Sequence, residues 1–331
     1  MSNKVASKTE QEVGVIFNSH AKGGMIKKIW TEILDSNVLQ SSFNIAIKEQ
    51  IDISNLENDF ENKLIIWVKI CISKGIKYFI AAGGDGTVHI AVNALYKFRL
   101  YSPILGAIGL GSSNDFHKPF KQTIKNVPIR LNFTEAIPHD LGEVVYANNK
   151  DELKTEYLII NASVGFTAEA NAIFNEKNNF ISFLKKRFTN LAIFFSIGKE
   201  LFKFKPLTTK ITFNGITKRN YKVINIGVTK NPHFAGDLKY ENKTNSDSGF
   251  FNIYILKTDS TKKIELILSI IKILKDFLSE NILSNPLLSK NLCQEIEIKT
   301  THSAILEIDG ELKKFKHAKF KILPKGLLLC P

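Results

Sequence analysis

The chain has 331 residues, of which 44% are hydrophobic, and a formal net charge of +13. This length suits two globular domains, and the apolar content is sufficient to build a core in each. The first dozen residues are polar, and no run of roughly 18 apolar residues occurs anywhere in the sequence, which predicts a cytoplasmic protein without a membrane-spanning helix. Cys71, Cys293 and Cys330 lie far apart without C-x-x-C spacing, so the pattern indicates neither a disulfide framework nor a zinc site.

The excess of positive charge favours an anionic partner, which can be a nucleotide, a nucleic acid or an acidic membrane surface. Nucleic acid is the weakest of these three, because the sequence has no zinc-finger spacing and no ribonucleoprotein motif. The lysines are also spread along the chain and do not form one patch interleaved with aromatic residues. We therefore expect no nucleic-acid partner.

Patterns typical of strands and helices alternate in the first part of the chain. They fall at residues 13–17, 25–34, 43–47, 56–73, 78–82 and 104–108. Alternation of this kind predicts a parallel sheet that is covered by helices on both faces. The loops after the strands at 13–17, 78–82 and 104–108 are glycine-rich, and we expect them at the carboxyl ends of the strands, where such sheets bind ligands.

The most specific of these loops is Gly83-Gly84-Asp85-Gly86-Thr87. Its glycines are expected to adopt positive φ angles and to let the backbone approach a ligand, while the N-terminus of the next helix directs N–H groups at an anion. The apolar residues that follow recur at helical spacing, which argues against a simple Asp-Gly hairpin. The loop lacks the Gly-Lys-Ser/Thr of a Walker A motif and the third glycine of the dinucleotide fingerprint, so it predicts a phosphate site of another kind.

From about residue 137 the pattern changes to closely spaced strands with hairpin signals, of which Asn214-Gly215 is the clearest. Further strands are predicted at 250–256, 295–299, 304–308 and 319–323, and helices at 181–204 and 264–278. The predicted fold is an α/β nucleotide-binding domain with a parallel sheet at 1–136, followed by a mostly antiparallel β domain with inserted helices at 137–323. A final segment, 324–331, could return to the first domain.

Several separate segments resemble one family in the expected order. They are Asn18 with Gly23, Gly83 to Thr87 with Asn93, Gly109 to Asp115, Asp140-Leu141-Gly142, Asn161 to Phe166, Phe234 to Phe250, and Ile308-Asp309-Gly310-Glu311. In this combination the chain resembles the diacylglycerol kinase catalytic-domain family, which includes soluble bacterial lipid kinases, sphingosine kinases and ceramide kinases. It departs from the family pattern at Ser19, where proline is common, at Asp237, where glycine is common, and at Ser248, where aspartate is common.

The resemblance implies an ATP-dependent lipid kinase that phosphorylates a hydroxyl of a membrane-derived lipid, with a role in phospholipid biosynthesis. Diacylglycerol is the default acceptor, and sphingoid or ceramide-like lipids remain open, as does a homo-oligomeric state. An NAD kinase is the first alternative, because that family shares the G-G-D-G-T loop. A non-catalytic homologue that binds nucleotide or lipid is the second, because Ser248 removes one ligand from the expected metal site.

The resemblance also assigns roles to individual residues. The phosphates of ATP would be held by Asn18, Gly83, Gly84, Asp85, Gly86, Thr87, Ser113, Asn114 and Asp115. Asp247 would contribute to a Mg²⁺ site. Asp309 would be the general base, with Glu311 beside it, and Asp85 is the rival base. The spacing alone favours a plain Asp-Gly hairpin turn for Asp309 and Gly310; the ordered set of other motifs outweighs this alternative.

A helical stripe of apolar residues suggests contact with a membrane. It comprises Ile181, Leu184, Phe188, Leu191, Phe195 and Phe202, and it is flanked by Lys185, Lys186, Arg187, Lys199 and Lys203. Such a helix can rest on an anionic bilayer, which would place the enzyme peripherally at the inner membrane face. The alternative is an ordinary amphipathic helix that packs on the β domain.

Overall fold

The computed structural model describes residues 10–20, 25–56, 59–147, 152–176, 181, 183–184, 187–242 and 247–331. The chain divides into two compact units. Unit 1 comprises Met1–Gly111, Pro119–Pro138 and Leu327–Pro331, and unit 2 comprises Ser112–Lys118 and His139–Gly326. The short segment Ser112–Lys118, which follows the fourth strand, thus belongs to unit 2. The domain limits inferred from the sequence stay a prediction.

Unit 1 alternates strands and helices along its first hundred residues. Its strands are β1 (Gln11–Phe17), β2 (Ile45–Asp52), β3 (Tyr78–Gly83), β4 (Ile104–Gly109), β5 (Gln122–Ile124) and β6 (Val127–Arg130). Its helices are α1 (Met25–Asp35), α2 (Val38–Phe43), α3 (Phe60–Ser73) and α4 (Asp85–Tyr96).

The pairing in unit 1 orders four of these strands side by side. Strand β1 pairs in parallel with β2 and β3, and β3 pairs in parallel with β4. At the end of the chain, Leu328 and Leu329 pair in parallel with Ile104 and Leu105 of β4. Strand β3 is buried almost throughout, as an apolar strand covered on both faces should be. The core of the unit is formed by residues such as Val13, Val15, Ile26, Trp30, Ile80 and Ile108.

Unit 2 is rich in strands. They are β7 (Ile137–Ala147), which begins at the last residues of unit 1, β8 (Leu153–Leu158), β9 (Asn161–Gly165), β10 (Leu207–Phe213), β11 (Ile216–Thr229), β12 (His233–Phe234), β13 (Leu238–Lys239), β14 (Phe251–Lys257), β15 (Leu288–Cys293), β16 (Glu295–Ile308) and β17 (Glu311–Leu329), the last of which ends in unit 1. Its helices are α5 (Phe166–Phe174), α6 (Thr189–Leu201) and α7 (Lys263–Leu278).

Antiparallel pairing dominates unit 2. It joins β7 to β8, β9 to β11 and β16, β10 to β11 and β16, β11 to β14, β14 to β15, and β16 to β17. Asn214 and Gly215 both have positive φ, as a type I′ hairpin requires. The prediction of a mixed α/β fold with mostly antiparallel strands in the second part is confirmed.

Several predicted elements differ from the observed ones. Phe43 ends α2 and does not begin a strand, because Asn44 adopts a left-handed conformation that closes the helix, so β2 starts at Ile45. The single helix predicted over 181–204 is interrupted at Phe188, whose φ of −145° is not helical. The strands predicted at 295–299 and 304–308 form one long strand, β16. The predicted motif residue Gly23 and the flanking residues Lys185 and Lys186 lie outside the described residues.

Among the helices described, none is long and apolar enough to cross a membrane.

Candidate functional site

The glycines between β3 and α4 permit close approach of backbone and side chain. A Cβ on Gly83 would lie 2.1 Å from Thr87 Oγ1, and one on Gly84 would lie 3.1 Å from the Cα of Gly111. None of Gly83, Gly84 and Gly86 has a positive φ, so the expectation of left-handed glycines in this loop was wrong. Gly84 is extended, with φ −90° and ψ −171°, and Gly86 lies within α4. The glycines are required here for space and not for handedness.

Thr87 carries the most unusual polar group of this loop. Its side chain is 2% exposed, and its hydroxyl has no hydrogen-bond partner among the described residues. The backbone N–H groups of Thr87 and Val88 donate to Gly84 O at 2.9 Å and 3.2 Å, which begins α4. A buried hydroxyl at a helix N-terminus, beside glycines whose backbone is uncovered by side chains, fits an anion such as a phosphate group.

The neighbouring loops of unit 1 contact this one. The N–H of Asn18, after β1, donates to Ala82 O at 3.2 Å, and the N–H of Leu110, after β4, donates to Gly83 O at 2.8 Å. The side chain of Asn18 accepts a bond from the N–H of His20 at 3.2 Å, so it shapes its own turn. The predicted phosphate residues Asn18 and Gly83 to Thr87 are therefore adjacent.

The departure from the family pattern at Ser19 has a structural reason. Its N–H donates to Asp52 Oδ1 at 3.2 Å, and its hydroxyl lies 2.7 Å from that of Ser54. Burial would raise the pKa of Asp52, but hydrogen bonds from Ser19 and Ser54 outweigh it and lower that pKa. A proline at position 19 would have no N–H to donate, so the serine links the first loop to the end of β2.

In unit 2, Asp309 lies at the turn between β16 and β17. Asp309 and Gly310 have φ values of 49° and 91°, and Ile308 pairs with Glu311, so the two residues form a type I′ hairpin turn. The Asp309 side chain is only 2% exposed. Its carboxylate accepts backbone N–H bonds from Ile159 at 3.0 Å, Ile160 at 2.8 Å and Asn161 at 3.0 Å. Asp309 thus anchors the segment 159–161.

The segment 159–161 in turn forms hydrogen bonds with the segment 230–233. Ile160 O accepts the N–H groups of Lys230 at 2.9 Å and of Asn231 at 2.8 Å. The side-chain amide of Asn161 donates to His233 O at 2.8 Å. Asp309 therefore organises the segment 230–233 indirectly.

Asn231 continues the chain of contacts to the predicted nucleotide segment 112–118. Its amide donates to Asp115 O at 3.0 Å and Lys118 O at 3.3 Å. Lys118 lies 2.7 Å from the Asp115 carboxylate and also donates to Gly236 O. Burial raises the pKa of Asp115 against the opposing effect of Lys118. We call the residues Asp115, Lys118, Asn161, Asn231, His233 and Asp309 the Asp309 network.

His233 is a neutral member of this network at physiological pH. Burial, together with the nearby Lys118 and Lys239, lowers the pKa of its imidazole to about 4. Its Nδ1 lies 2.9 Å from Asn231 Oδ1, and its backbone N–H donates to the same oxygen at 3.1 Å. Since the amide oxygen can only accept, Nδ1 carries the proton.

A buried ion pair lies beside the predicted metal ligand. Lys230 Nζ is 3.1 Å from Asp140 Oδ2, and both side chains are almost inaccessible. The Asp140 carboxylate also accepts the N–H of Gly249 at 2.7 Å and of Lys325 at 3.0 Å. Burial lowers the pKa of Lys230; burial would raise the pKa of Asp140, but its hydrogen bonds outweigh this effect and lower it.

Asp247 itself is exposed. In the described part of the chain, no group of three or more His, Cys, Asp or Glu residues could hold a metal ion. The residues described do not on their own fit a protein-built Mg²⁺ site.

The predicted site residues thus fall into separate groups. Unit 1 brings together Asn18 and Gly83 to Thr87. In unit 2, Asp115 joins Asp309 through the network, and Ser113 forms a hydrogen bond with the Asp115 carboxylate. Asn114 has a positive φ of 52°, and Glu311 follows the Asp309 turn.

Sequence reasoning missed Asn231, Lys118 and the buried Lys230. Their side chains connect segments that are far apart in the sequence, and the sequence does not show such contacts. Lysine or asparagine next to a strand is typical of an exposed surface position, so these residues gave no signal.

Comparisons with known proteins identify chains that are similar to this one. Residues 12–144 match the family model of the diacylglycerol kinase catalytic domain. A relative from Shewanella frigidimarina named "Probable lipid kinase YegS-like" is 25% identical over 294 residues, which cover 86% of each chain. YtlR of Bacillus subtilis, provisionally named a lipid kinase, is 28% identical over 191 residues, or 55% of this chain and 59% of YtlR.

A crystal structure of a provisionally assigned diacylglycerol kinase from Bacillus anthracis superposes with a TM-score of 0.68, at 18% identity and 98% coverage of both chains. This likeness shows that the two chains share a fold. Together with the domain match over residues 12–144, it confirms the resemblance of this chain to the diacylglycerol kinase catalytic-domain family.

Proposed function

We propose that the protein is an ATP-dependent lipid kinase. The lipid hydroxyl oxygen would bond to the γ-phosphorus of ATP, the bond from that phosphorus to the β-phosphate oxygen would break, and ADP would leave. Diacylglycerol is the first acceptor to test, and sphingoid or ceramide-like lipids are the next. The lipid-kinase names of the two relatives support the class of reaction.

The observation that carries the proposal is the loop from Gly83 to Thr87. Phosphoryl transfer needs positioned phosphate groups more than it needs covalent chemistry from the protein. The loop offers helix N-terminal amides and a buried hydroxyl that has no hydrogen-bond partner in the described part of the chain, and its glycines leave room that side chains would fill. These properties suit the phosphates of a nucleotide.

Two carboxylates are candidates for the general base. The motif assigns this role to Asp309, with Glu311 beside it, but the Asp309 carboxylate is buried and already accepts three backbone N–H bonds. To accept a substrate proton it would have to give up part of that anchoring. Asp85 is half-buried at the start of α4 and is the better placed alternative on these grounds.

Two asparagine variants distinguish these carboxylates. If Asp85 is the base, Asp85→Asn abolishes turnover with nucleotide affinity retained, and Asp309→Asn changes stability more than the pH profile of turnover. The reverse pattern, in which Asp309→Asn alone abolishes turnover of a folded enzyme with nucleotide affinity retained, would support Asp309 as the base.

We propose that Mg²⁺ accompanies ATP, because magnesium is commonly held by substrate phosphates and waters with one or two carboxylates. Asp247 is the carboxylate that we expect nearby. Magnesium would neutralise charge on the transferring phosphate; we assign it no further role.

The acceptor is expected to be drawn from a membrane. Leu191, Phe195 and Phe202 of the predicted apolar stripe are exposed, whereas Ile181 and Leu184 are buried. We propose that the exposed part, on and next to α6, contacts the anionic inner face of the membrane, so that the cytoplasmic enzyme is peripheral.

An ATP-consumption assay tests the proposed function. The purified protein is incubated with diacylglycerol, a sphingoid base, a ceramide or NAD, with and without Mg²⁺, and phosphorylated product is identified by mass spectrometry. Product from a lipid alone supports the proposal. Product from NAD alone would make the protein an NAD kinase, and nucleotide binding without any product would favour a non-catalytic homologue.

A further inference from the structure

Helix α7 has apolar side chains on two opposite faces. Its inner face, Leu266, Ile270, Ile273 and Phe277, is buried in the core of unit 2. Its outer face, which we define as Ile264, Leu268, Ile271 and Leu278, is 48–74% exposed. An ordinary surface helix would carry polar residues there, so this face is unusual.

The spacing of the outer face makes it continuous. At 3.6 residues per turn, its four residues lie within an arc of about 80° and extend for roughly 21 Å along the helix. Lys275 falls inside the same arc, and Lys272 lies about 40° outside it; both are exposed. The result is an apolar stripe with ammonium groups within it and beside it.

The start of α7 lies near the end of α6. Ile197 and Leu201 of α6 pack against the same buried cluster as the inner face of α7. Lys263 Nζ, at the start of α7, donates to Phe204 O at 2.7 Å, just after α6 ends. The exposed Phe202 and Ile264 therefore belong to neighbouring ends of the two helices.

We propose that the outer face of α7 is a second membrane-contact element, which lies on an anionic bilayer together with α6. This inference rests on the proposed function and deepens it. The apolar side chains would enter the boundary between headgroups and acyl chains, and Lys272 and Lys275 would extend to lipid phosphates. The acidic residues of the helix do not lie on this face, because Glu265 and Asp276 are about 100° and 120° from Ile264 around the helix axis, outside the arc of the outer face. Glu265 also lies 3.3 Å from Lys262.

Charge argues for a bilayer over a second copy of the chain. A two-fold symmetric contact with the two α7 helices parallel would bring Lys275 close to Lys275 of the other copy, and such like-charge pairs are unfavourable. With the helices antiparallel about Ile271, the midpoint of the stripe, Lys275 would face apolar residues near Ile267 and would lose water without gaining an anionic partner. An anionic membrane instead attracts these lysines, in keeping with the net charge of +13.

A matched pair of variants tests the proposal. Leu268→Gln with Ile271→Gln changes two outer-face residues that are 61% and 48% exposed. The control, Ile66→Gln with Ile70→Gln, changes two residues of α3 in unit 1 that are 58% and 44% exposed. Both double variants introduce glutamine, which is a good helix former, and both remove a similar area of exposed apolar surface.

Binding is measured by co-sedimentation with vesicles of phosphatidylcholine and phosphatidylglycerol in equal amounts. We expect the α7 variant to bind at least about tenfold more weakly, since each lost apolar contact lowers the partition constant severalfold. The α3 control should stay within about twofold of the wild type. Equal binding of all three proteins, or equal loss in both variants, would overturn the proposal.

Three further measurements test the role of the lysines, the possibility of a dimer and the dependence on the proposed function. Lys272→Gln with Lys275→Gln should weaken binding only to vesicles that contain phosphatidylglycerol, and no such effect would also contradict the proposal. A wild-type dimer that the α7 variant converts to a monomer, with unchanged vesicle binding, would assign the face to a second copy. Phosphorylation of lipid dispersed in detergent should be unaffected in the α7 variant; absence of activity in the wild type as well would instead reject the proposed function.

Discussion

The Gly83 to Thr87 loop and the Asp309 network are both assembled from predicted site residues, but they are built in opposite ways. In the loop, a buried hydroxyl lacks a hydrogen-bond partner among the described residues, and glycines keep the backbone uncovered. In the network, the Asp309 carboxylate accepts three N–H bonds, and Asn231 uses both ends of its amide.

This difference distinguishes a region that can bind a ligand from a region that supports the structure. A group that is buried without a partner costs free energy that a ligand can recover, so such a group points to a binding surface. A network whose hydrogen bonds are already made gains nothing from a ligand and instead fixes the segments that it joins. We therefore propose that the loop binds ligand and that the network positions the segment 112–118.

The largest expected effect is on the stability of unit 2. Asp309→Ala leaves the N–H groups of residues 159–161 without their acceptor, and we expect it to lower the free energy of unfolding by about 3–5 kcal/mol. Urea denaturation followed by circular dichroism measures this change. The exposed Asp247→Ala is the control and should alter stability by less than about 0.5 kcal/mol. If Asp309→Ala and Asp247→Ala both changed the free energy of unfolding by the same small amount, Asp309 would not support the structure of unit 2.

A smaller loss is expected from added bulk in the loop. A Cβ on Gly83 would overlap Thr87 Oγ1, so Gly83→Ala should cost about 1–3 kcal/mol of stability and weaken nucleotide binding. Gly198→Ala, in α6, meets no atom within 4 Å and should be neutral or slightly stabilising. Calorimetric titration with ATP and thermal unfolding provide the two measurements. Unchanged ATP affinity in a folded Gly83→Ala protein would place the nucleotide elsewhere.

Removal of the Thr87 hydroxyl tests whether the loop has a binding role or a supporting role. Thr87→Val keeps the shape of the side chain and removes a hydroxyl that has no partner in the described structure, so stability should change little. If that hydroxyl binds phosphate, ATP affinity should fall by about tenfold, the equivalent of one hydrogen bond. Loss of stability without loss of affinity would contradict this division of roles.

The sequence predicted the loop better than the network. Glycines next to an apolar strand identify a turn with local rules, and the observed β3, loop and α4 follow the prediction; only the reason for the glycines differed. The role of Asn231 depends on contacts with residues more than a hundred positions away, for which a single sequence carries no signal. Asp309 illustrates both cases, since its turn could be predicted from Asp-Gly but its three backbone donors could not.

The smallest expected effect is a pH dependence that arises from His233. Its folded-state pKa of about 4 lies below the ordinary value of 6.5, so between these pH values the unfolded chain binds a proton that the folded chain does not. The free energy of unfolding should therefore fall as the pH decreases from 6.5 to 4, and His233→Gln should show a shallower decline over that window. The wild type and His233→Gln share every other titratable group, so the difference between their two curves isolates the imidazole of His233. Parallel curves for the wild type and His233→Gln would mean that His233 takes up its proton as readily in the folded state as in the unfolded state. The Asp309 network would then be open to solvent, and its contrast with the ligand-binding Gly83 to Thr87 loop would be lost.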